Sequence, residues 1–453
     1  MKERIRIASG QGFWGDLLSA PYDQVARGEV DYLVMDYLAE VTMSILQKQR
    51  RKNPALGYAR DLVPLMEELL PLLVRKNVRV ITNGGGVNPL ACRDAIFAAA
   101  AKAGIRGLSI GVVLGDDILG RLAELRGGGI RLDNMETGED LGPYVDRLMS
   151  ANVYFGAAPI VEALGRGARI VITGRTTDTG LTLAPMMHEF GWKAEEWDRL
   201  AAGTVAGHIL ECGGQASGGN FSADWRAVRD LAHIGFPIAE AYPDGHVVIT
   251  KHEGTGGLVS VRTVKEQLLY EIGDPARYIT PDCVADFTTI RLSADGPDRV
   301  RVADVKGRPS TDTYKVSMSY LDGYTASGTL TYSWPDALEK GKAADRILRR
   351  RLDDLGLKFE EVRTEFLGYN SCHGPLAVPA GEVNEVVVRV GVRGSDFGAV
   401  ERFGKEIAPL ILTGPPSVTG FAGGRPKPSE VIAYWPALMP KSSVKPEVIV
   451  ETA

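Results

Sequence analysis

The chain has 453 residues, enough for two domains, because single hydrophobic cores rarely grow beyond about 250–300 residues. A hydrophobic content of 44%, a charged content of 24% and a net charge of −5 are ordinary for a globular protein and make nucleic acid and anionic membrane surfaces poor partners. No apolar run reaches the ~20 residues of a membrane helix and no signal peptide is visible, so we expect a cytoplasmic protein.

Up to about residue 190 the sequence alternates short β-branched runs with amphipathic stretches. This alternation, with strands that are apolar almost throughout, predicts an α/β domain with a mostly parallel sheet and flanking helices. In such sheets ligands bind at the carboxyl ends of the strands, where this sequence concentrates glycine, asparagine and aspartate. The predicted strands are 5–8, 32–35, 78–82, 108–113 and 170–173, and the predicted helices include 38–51, 59–74 and 91–103.

The first strand runs directly into a G-x-G-x-x-G sequence, Gly10 to Gly15. Asp36 ends the second strand at about the spacing at which a dinucleotide-binding protein holds a ribose. Against that interpretation, Pro21 interrupts the helix that should follow, and the residues after Asp36 begin a helix at once. A glycine elbow lining another pocket is favoured, with Gly12 and Asp36 as substrate-binding residues.

The third strand ends in a glycine turn that precedes a helix. Backbone amides at such a turn form an anion-receptive helix start, and an ordinary tight turn is an equally good interpretation. We expect these residues to bind substrate: Asn83, Gly84, Gly85, Gly86 and Asn88.

Arg175 and Asp178 follow the strand at 170–173. A guanidinium at a strand end can hold a carboxylate or phosphate through two hydrogen bonds. Asp178 could instead neutralise Arg175 in a local ion pair. Because this strand end faces the expected cleft, we favour a substrate-binding role for both residues.

His208, Glu211 and Cys212 stand at positions i, i+3 and i+4, which share one face of a helix. This triplet could supply a base, an acid and a thiol, or it could hold a metal, and catalysis is the favoured interpretation. The four cysteines of the chain lie far apart without a C-x-x-C pair, which argues against a zinc ribbon, an iron–sulfur cluster or a disulfide scaffold. Gly214 and Gly219, in the glycine-rich turn that follows, are further substrate-binding candidates.

Past residue 200 the sequence is first glycine-rich and irregular, and it then changes character. His252, beside Glu253 at a strand end, is a weaker acid–base and substrate-binding candidate. From about residue 285 the pattern predicts strands at 329–332, 362–368, 386–392 and 431–434 and helices at 336–355 and 399–410. That order, βαββαβ, is typical of an α+β ferredoxin-like module. We therefore expect an α/β domain at 1–280 and a ferredoxin-like C-terminal domain at 281–453.

Several segments, in this order, resemble the acyclic terpene utilisation (AtuA) family. The resemblance covers about residues 3–290 and rests on "GFWGD", "VDYLVMDYLAEVT", "TNGGGVNPLACRDA", "VYFGAAPIVEALGRGARIVITGRTTDTGL", "AAGTVAGHILECGGQASGGNF", "HIGFPIAEAYPDG" and "EGTGGLVSV". Members carry R-S-G-D-K-G near the C-terminus, whereas residues 393–398 here read RGSDFG and lack the lysine. The resemblance implies catabolism of branched carboxylic acids as coenzyme A thioesters, beside biotin-dependent carboxylases and enoyl-CoA hydratases, without an established reaction.

The leading hypothesis is an enzyme that acts on a branched or carboxylated acyl-CoA, or a related hydroxy-acid, by lyase or hydratase chemistry. Glu211 and Cys212 would move protons, and Arg175 with the amides of 84–86 would hold the anion. Coenzyme A enters as part of the substrate, no metal ligands are assigned, and the need for a divalent metal stays open. We expect a small-molecule substrate and a homo-oligomer. The alternatives are a nicotinamide- or flavin-dependent oxidoreductase that uses the Gly10–Gly15 turn, and a non-catalytic subunit of an acyl-CoA carboxylase or hydratase system.

Overall fold

The computed structural model describes residues 2–378, 381–419 and 423–453. Within them the chain forms two compact units, one made of residues up to Ser319 together with Tyr434–Ala453, the other of Tyr320–Ala433. The boundary expected at residue 280 falls inside the first unit, because strands before and after it join the same sheet.

The helices and strands follow each other in mixed order along the first unit. They are β1 (Ile5–Gln11), α1 (Ala20–Ala26), β2 (Tyr32–Met35), α2 (Glu40–Lys52), α3 (Leu62–Lys76), β3 (Arg79–Thr82), α4 (Pro89–Lys102), β4 (Ser109–Leu114), α5 (Leu122–Gly127), β5 (Leu148–Val153), α6 (Ala158–Gly165), β6 (Ile170–Thr173), α7 (Gly180–Phe190), α8 (Trp197–Leu210), β7 (Ile238–Ala241), β8 (Val247–Thr250), α9 (Val261–Leu269), β9 (Tyr278–Ile279), β10 (Val284–Asp286), β11 (Arg291–Ala294), β12 (Val300–Ala303) and β13 (Lys306–Arg308).

The remaining elements belong to the second unit or connect it to the first. They are β14 (Thr313–Ser333), α10 (Ala337–Asp354), β15 (Glu361–Leu367), β16 (Glu385–Gly394), α11 (Phe397–Ile407), α12 (Leu410–Thr413), β17 (Val418–Thr419), β18 (Ser429–Pro440) and β19 (Glu447–Thr452). In the part of the chain that the structure describes, no helix is both long and apolar enough to cross a membrane.

A ten-stranded sheet organises the first unit, in the order β11-β12-β8-β7-β1-β2-β3-β6-β4-β19. Its central strands β1, β2, β3, β6 and β4 are parallel. The strands β7, β8, β12 and β11 extend one side and β19 the other, each antiparallel to its neighbour. The α/β class is confirmed, but the sheet is mixed rather than mostly parallel, because residues 238–303 add short antiparallel strands.

The central strands are apolar because helices cover both of their faces. Every residue of β2 and β6 is buried. Helices α1, α3 and α4 pack on one face and α6 and α7 on the other. Since the carboxyl ends of parallel strands share one edge of a sheet, β2, β3 and β6 bring Asp36, Asn83 and Arg175 to the same edge.

The second unit is an antiparallel sheet in the order β15-β16-β14-β17, with α10 and α11 packed against β16. Alternate residues of β16 enter its core, as the period of two in a strand requires: Val386, Val388, Val390 and Val392. The predicted strands and helices are present in the predicted chain order. The ferredoxin-like assignment itself stays a prediction.

Candidate functional site

A cavity of about 390 Å³ lies at the carboxyl edge of the parallel strands. Its walls come from the segments that follow β1, β2, β6, α8 and α9. We call it the acidic cavity, because five carboxyl side chains and one guanidinium line it. The lining residues are Gly12, Phe13, Asp36, Leu38, Ala39, Glu40, Arg175, Asp178, Glu211, Cys212, Gln215, Tyr270 and Glu271.

Arg175 is the only cation among these lining residues, and it is 2% exposed. Its guanidinium donates to the Leu38 carbonyl oxygen at 2.6 Å, to Asp178 Oδ1 at 2.8 Å and to the Tyr154 hydroxyl at 2.9 Å. It also lies 4.2 Å from the centre of the Tyr154 ring. Its buried Nε has no hydrogen-bond partner among the described residues. Two of the three guanidinium nitrogens of Arg175 are thus held by hydrogen bonds, and Nε is left without a partner among the described residues.

Asp116 fixes the turn that carries Arg175. Its Oδ2 accepts a hydrogen bond from the Arg175 backbone N–H at 2.7 Å and from Asn152 Nδ2 at 3.0 Å. Burial raises the pKa of Asp116 to about 7, and these two donors act in the opposite direction. This buried carboxyl positions the arginine without lining the acidic cavity.

Asp36 is buried and held by Asn83. Asn83 Nδ2 donates to Asp36 Oδ1 at 2.7 Å, and the Leu38 amide donates to the same oxygen at 3.1 Å. The Asn83 side-chain oxygen accepts from the Tyr37 amide at 2.8 Å. Burial, reinforced by the negative charge of Asp178, raises the pKa of Asp36 well above its usual range. Asn83 therefore orients Asp36, and Asp36 is the group that faces the acidic cavity.

His208 and Glu211 form a buried pair at the end of α8. His208 Nδ1 lies 2.9 Å from Glu211 Oε1, but the alignment is poor and both ring nitrogens lack a hydrogen-bond partner within the described ranges. The ring is 1% exposed and packs edge-on against Tyr278 and Phe287. Burial raises the pKa of Glu211, although the nearby His208 acts in the opposite direction. Burial lowers the pKa of His208, but the negative charge of Glu211 and smaller contributions together outweigh burial, so the pKa of His208 is also raised. Glu211 lines the acidic cavity, and His208 stands behind it.

Cys212 also lines the acidic cavity, but as a thiol rather than a thiolate. Burial, together with the charge of Glu211, raises its pKa to about 12. Because only the thiolate is a strong nucleophile, Cys212 is poorly suited to covalent catalysis at neutral pH.

Most residues that line the acidic cavity belong to the segments that carry the family resemblance. Gly12 and Phe13 belong to "GFWGD", Asp36 to "VMDYLAE", Arg175 to "GRTTD" and Glu211 to "ILECGGQ". The sequence model of the acyclic terpene utilisation family protein AtuA matches residues 5–450. The chain belongs to the AtuA family. The expected resemblance is confirmed, and it extends beyond residue 290 through the second unit.

Membership of the AtuA family associates the chain with acyclic terpene utilisation. Searches of the curated proteins and of the solved structures each give no match. Within residues 2–378, 381–419 and 423–453, no group of three or more histidine, cysteine, aspartate or glutamate side chains could hold a metal ion.

Gly12 lies against the end of α8 rather than at the start of a helix. A Cβ at this position would lie 2.9 Å from backbone atoms of Glu211, Cys212 and Gly213. The Gly12 amide already donates to Asp16 Oδ2 at 2.9 Å, so a carboxylate takes the place that a pyrophosphate would need. Close backbone packing explains this glycine, and the oxidoreductase alternative gains no support from it.

The glycine turn after β3 also has a packing explanation. A Cβ on Gly85 would lie 2.6 Å from the Thr173 carbonyl oxygen. The Gly84 amide donates to Thr82 Oγ1 at 3.0 Å and the Gly86 amide to the Asn83 carbonyl at 3.1 Å. None of the three glycines lines the acidic cavity.

Four other candidates lie apart from the lining of the acidic cavity. Asn88 Nδ2 donates to carbonyl oxygens of the loop at 54–56. Gly214 packs beside Ile234 and Phe236, and Gly219 lines a neighbouring recess. His252 hydrogen-bonds the Gln24 carbonyl at 2.8 Å and lines a different surface cavity.

Glu40, Gln215, Tyr270 and Glu271 line the acidic cavity although the sequence did not single them out. Glu40 begins α2 four residues after Asp36 and accepts a 2.7 Å hydrogen bond from the Tyr154 hydroxyl. Its position close to the end of a predicted strand could have identified Glu40 as a site candidate from the sequence. Tyr270 and Glu271 follow α9, 18 and 19 residues after His252, the nearest predicted site residue, and carry no local motif.

Proposed function

We propose that this chain is an acid–base enzyme that acts on a branched acyl-CoA thioester by lyase or hydratase chemistry. The observation that supports it is the placement of two carboxyls with raised pKa values, Asp36 and Glu211, in one cavity with Arg175. General acid–base catalysis is most effective when the pKa of the group lies near the working pH. Raised carboxyl pKa values in a cleft are a physical reason to assign the catalytic site there.

Both reactions require a base, an acid and a donor for the thioester oxygen. In a lyase reaction the base removes the proton of the 3-hydroxyl, the C2–C3 bond breaks, and the thioester enolate receives a proton from the acid. In a hydratase reaction the base removes a proton from water, whose oxygen bonds to C3, and the acid protonates C2. We assign the acid and base roles to Glu211 and Asp36, and the oxygen contact to the unpartnered Arg175 Nε, since such donors are typically worth about 3–4 kcal/mol.

His208 and Cys212 have supporting roles in this proposal. His208 does not line the acidic cavity, so it acts by holding Glu211 and moderating its pKa. Cys212 contributes a neutral S–H group next to Glu211 rather than a nucleophile. These assignments replace the expected anion grip of the amides at 84–86.

The charges of the acidic cavity favour an uncharged acyl group. Arg175 is already paired with Asp178, and three further carboxyls besides Asp36 line the walls. A free carboxylate on the acyl group would therefore lie close to other negative charges. We favour a branched, hydroxylated or unsaturated acyl group, with coenzyme A as part of the substrate. We also propose that the protein is a homo-oligomer and that its second unit is ferredoxin-like. The central positions of β14 and β16 in the sheet of the second unit, with α10 and α11 packed on that sheet, support the ferredoxin-like assignment.

The test is to incubate purified protein with branched 3-hydroxyacyl-CoA and 2-enoyl-CoA thioesters, with and without Mg²⁺, and to follow products by mass spectrometry. Glu211→Gln is expected to lower turnover at least 100-fold, the usual contribution of a general acid or base. Glu195→Gln, an exposed position outside the acidic cavity, is the matched control and should retain full activity. Absence of turnover for every branched thioester would refute the proposal.

A further inference from the structure

A second recess adjoins the acidic cavity. It has a volume of about 380 Å³ and shares two wall residues, Gln215 and Tyr270, with the acidic cavity. Its other walls include Phe221, Gln267 and Leu269. We call it the outer recess. Because both spaces are lined by the same two side chains, they lie next to each other.

Gln267 carries a buried acceptor at this recess. The side chain is 1% exposed, and its Nε2 donates to the His208 carbonyl oxygen at 3.0 Å. Since a carbonyl accepts only, the amide nitrogen must face His208, which fixes the Gln267 oxygen on the other side. That oxygen is buried and has no hydrogen-bond partner in the described part of the chain. An unpaired buried acceptor is costly and points to a ligand that donates an N–H or O–H group.

The remaining walls of the outer recess carry a single charged side chain. The one carboxylate there, Glu266, accepts hydrogen bonds from the amides of Ser222 and Ala223 at 2.8 and 3.1 Å. Phe221 and Leu269 supply apolar surface. The recess therefore suits a slender, neutral chain that mixes methylene groups with hydrogen-bond donors.

We infer that the outer recess holds the pantetheine arm of an acyl thioester, with Gln267 Oε1 accepting one of its amide N–H groups. This inference rests on the proposed function, which places the acyl end in the acidic cavity. An aliphatic acyl tail fits less well, because it would cover the Gln267 oxygen without supplying a donor. At the outer end, the exposed Arg262 lies over the Phe221 ring, 5.8 Å from its centre, where the phosphate end of the ligand would emerge.

The test compares two unreactive thioesters of 3-methylbutyrate by isothermal titration calorimetry. The N-acetylcysteamine thioester carries the first amide of the pantetheine arm, and the ethyl thioester lacks it. The intact protein should bind the amide-bearing thioester about tenfold more tightly, the typical effect of one such hydrogen bond. Gln267→Met should abolish this preference. Equal binding of the two thioesters by the intact protein, or an unchanged preference in Gln267→Met, would overturn the inference.

A second variant tests the inference independently, in case Gln267→Met does not fold. Leu269 is 64% exposed, so Leu269→Trp should fold while filling the recess from its rim and reduce the amide preference at least fivefold. Leu355→Trp, at another exposed leucine outside the recess, is the matched control and should leave the preference intact. A preference that survives in Leu269→Trp would count against the recess.

Turnover of coenzyme A thioesters is measured separately and keeps the two proposals distinguishable. An amide preference that depends on Gln267, without turnover, supports the recess and contradicts the proposed chemistry. Turnover without an amide preference supports the chemistry and overturns the recess.

Discussion

Gly12→Ala tests whether close packing, rather than phosphate binding, requires glycine at this position. The added Cβ would lie 2.9 Å from the Cys212 carbonyl carbon, the Glu211 carbonyl oxygen and the Gly213 nitrogen. These are backbone atoms that cannot rotate away, so the two segments must separate by about 0.6 Å to reach an ordinary contact of ~3.5 Å. Overpacking of this kind typically costs about 1–3 kcal/mol of unfolding free energy.

The assay is urea unfolding, with Gly165→Ala as the control. A Cβ on Gly165, in α6, would have nothing within 4 Å, so alanine there should leave stability unchanged or raise it by about 0.5–1 kcal/mol. Because the displacement also moves Glu211 relative to Asp36, we expect turnover to fall about tenfold. Surface substitutions usually change the free energy of unfolding by no more than about 0.5 kcal/mol. If the free energy of unfolding of Gly12→Ala differs from that of the unchanged protein by no more than this, the packing argument is refuted.

Three further measurements probe the acidic cavity. Arg175→Lys removes the planar fork that reaches Asp178 and Tyr154 together, so turnover should fall at least 100-fold, and retention of more than a tenth would contradict the assigned role. The raised pKa of Glu211 means that its contribution to stability is complete below about pH 4.5 and is lost as the pH rises. Glu211→Gln should therefore gain stability relative to the unchanged protein from pH 5 to 8, whereas parallel pH profiles would disprove this. Since the pKa of Cys212 is about 12, iodoacetamide at pH 7.5 should alkylate the exposed Cys372 first, as peptide mass spectrometry can show; faster labelling of Cys212 would indicate a thiolate.

The sequence was sufficient to place three parts of the acidic cavity. Asp36 and Arg175 follow apolar strands, and parallel strands present their carboxyl ends along one edge, so their proximity follows from the fold class alone. Glu211 could be placed less directly, because it depends on how far α8 returns over that edge. The role of the glycine turns could not be decided from the sequence for a physical reason: a missing Cβ allows either a ligand or another backbone to approach, and the sequence is the same in both cases.

Long-range pairings account for what the sequence did not predict. Tyr270 and Glu271 reach the acidic cavity only because α9 packs against α8, which no local pattern specifies. The strand β19 pairs with β4, more than 300 residues earlier, and the short strands β7, β8, β11 and β12 acquire their positions from the sheet. Strands of this length depend on their neighbours for their conformation more than on intrinsic preference.

The pairing of β19 with β4 has a consequence for biosynthesis. A ribosome releases Glu447–Thr452 only after the whole second unit, Tyr320–Ala433, has been made. Until then β4 is an open edge with unpaired backbone groups, the kind of surface that recruits foreign strands. The second unit can fold during this interval, whereas the first must wait for its last strand. The nascent chain is therefore exposed to misassembly along β4 until Glu447–Thr452 has been made.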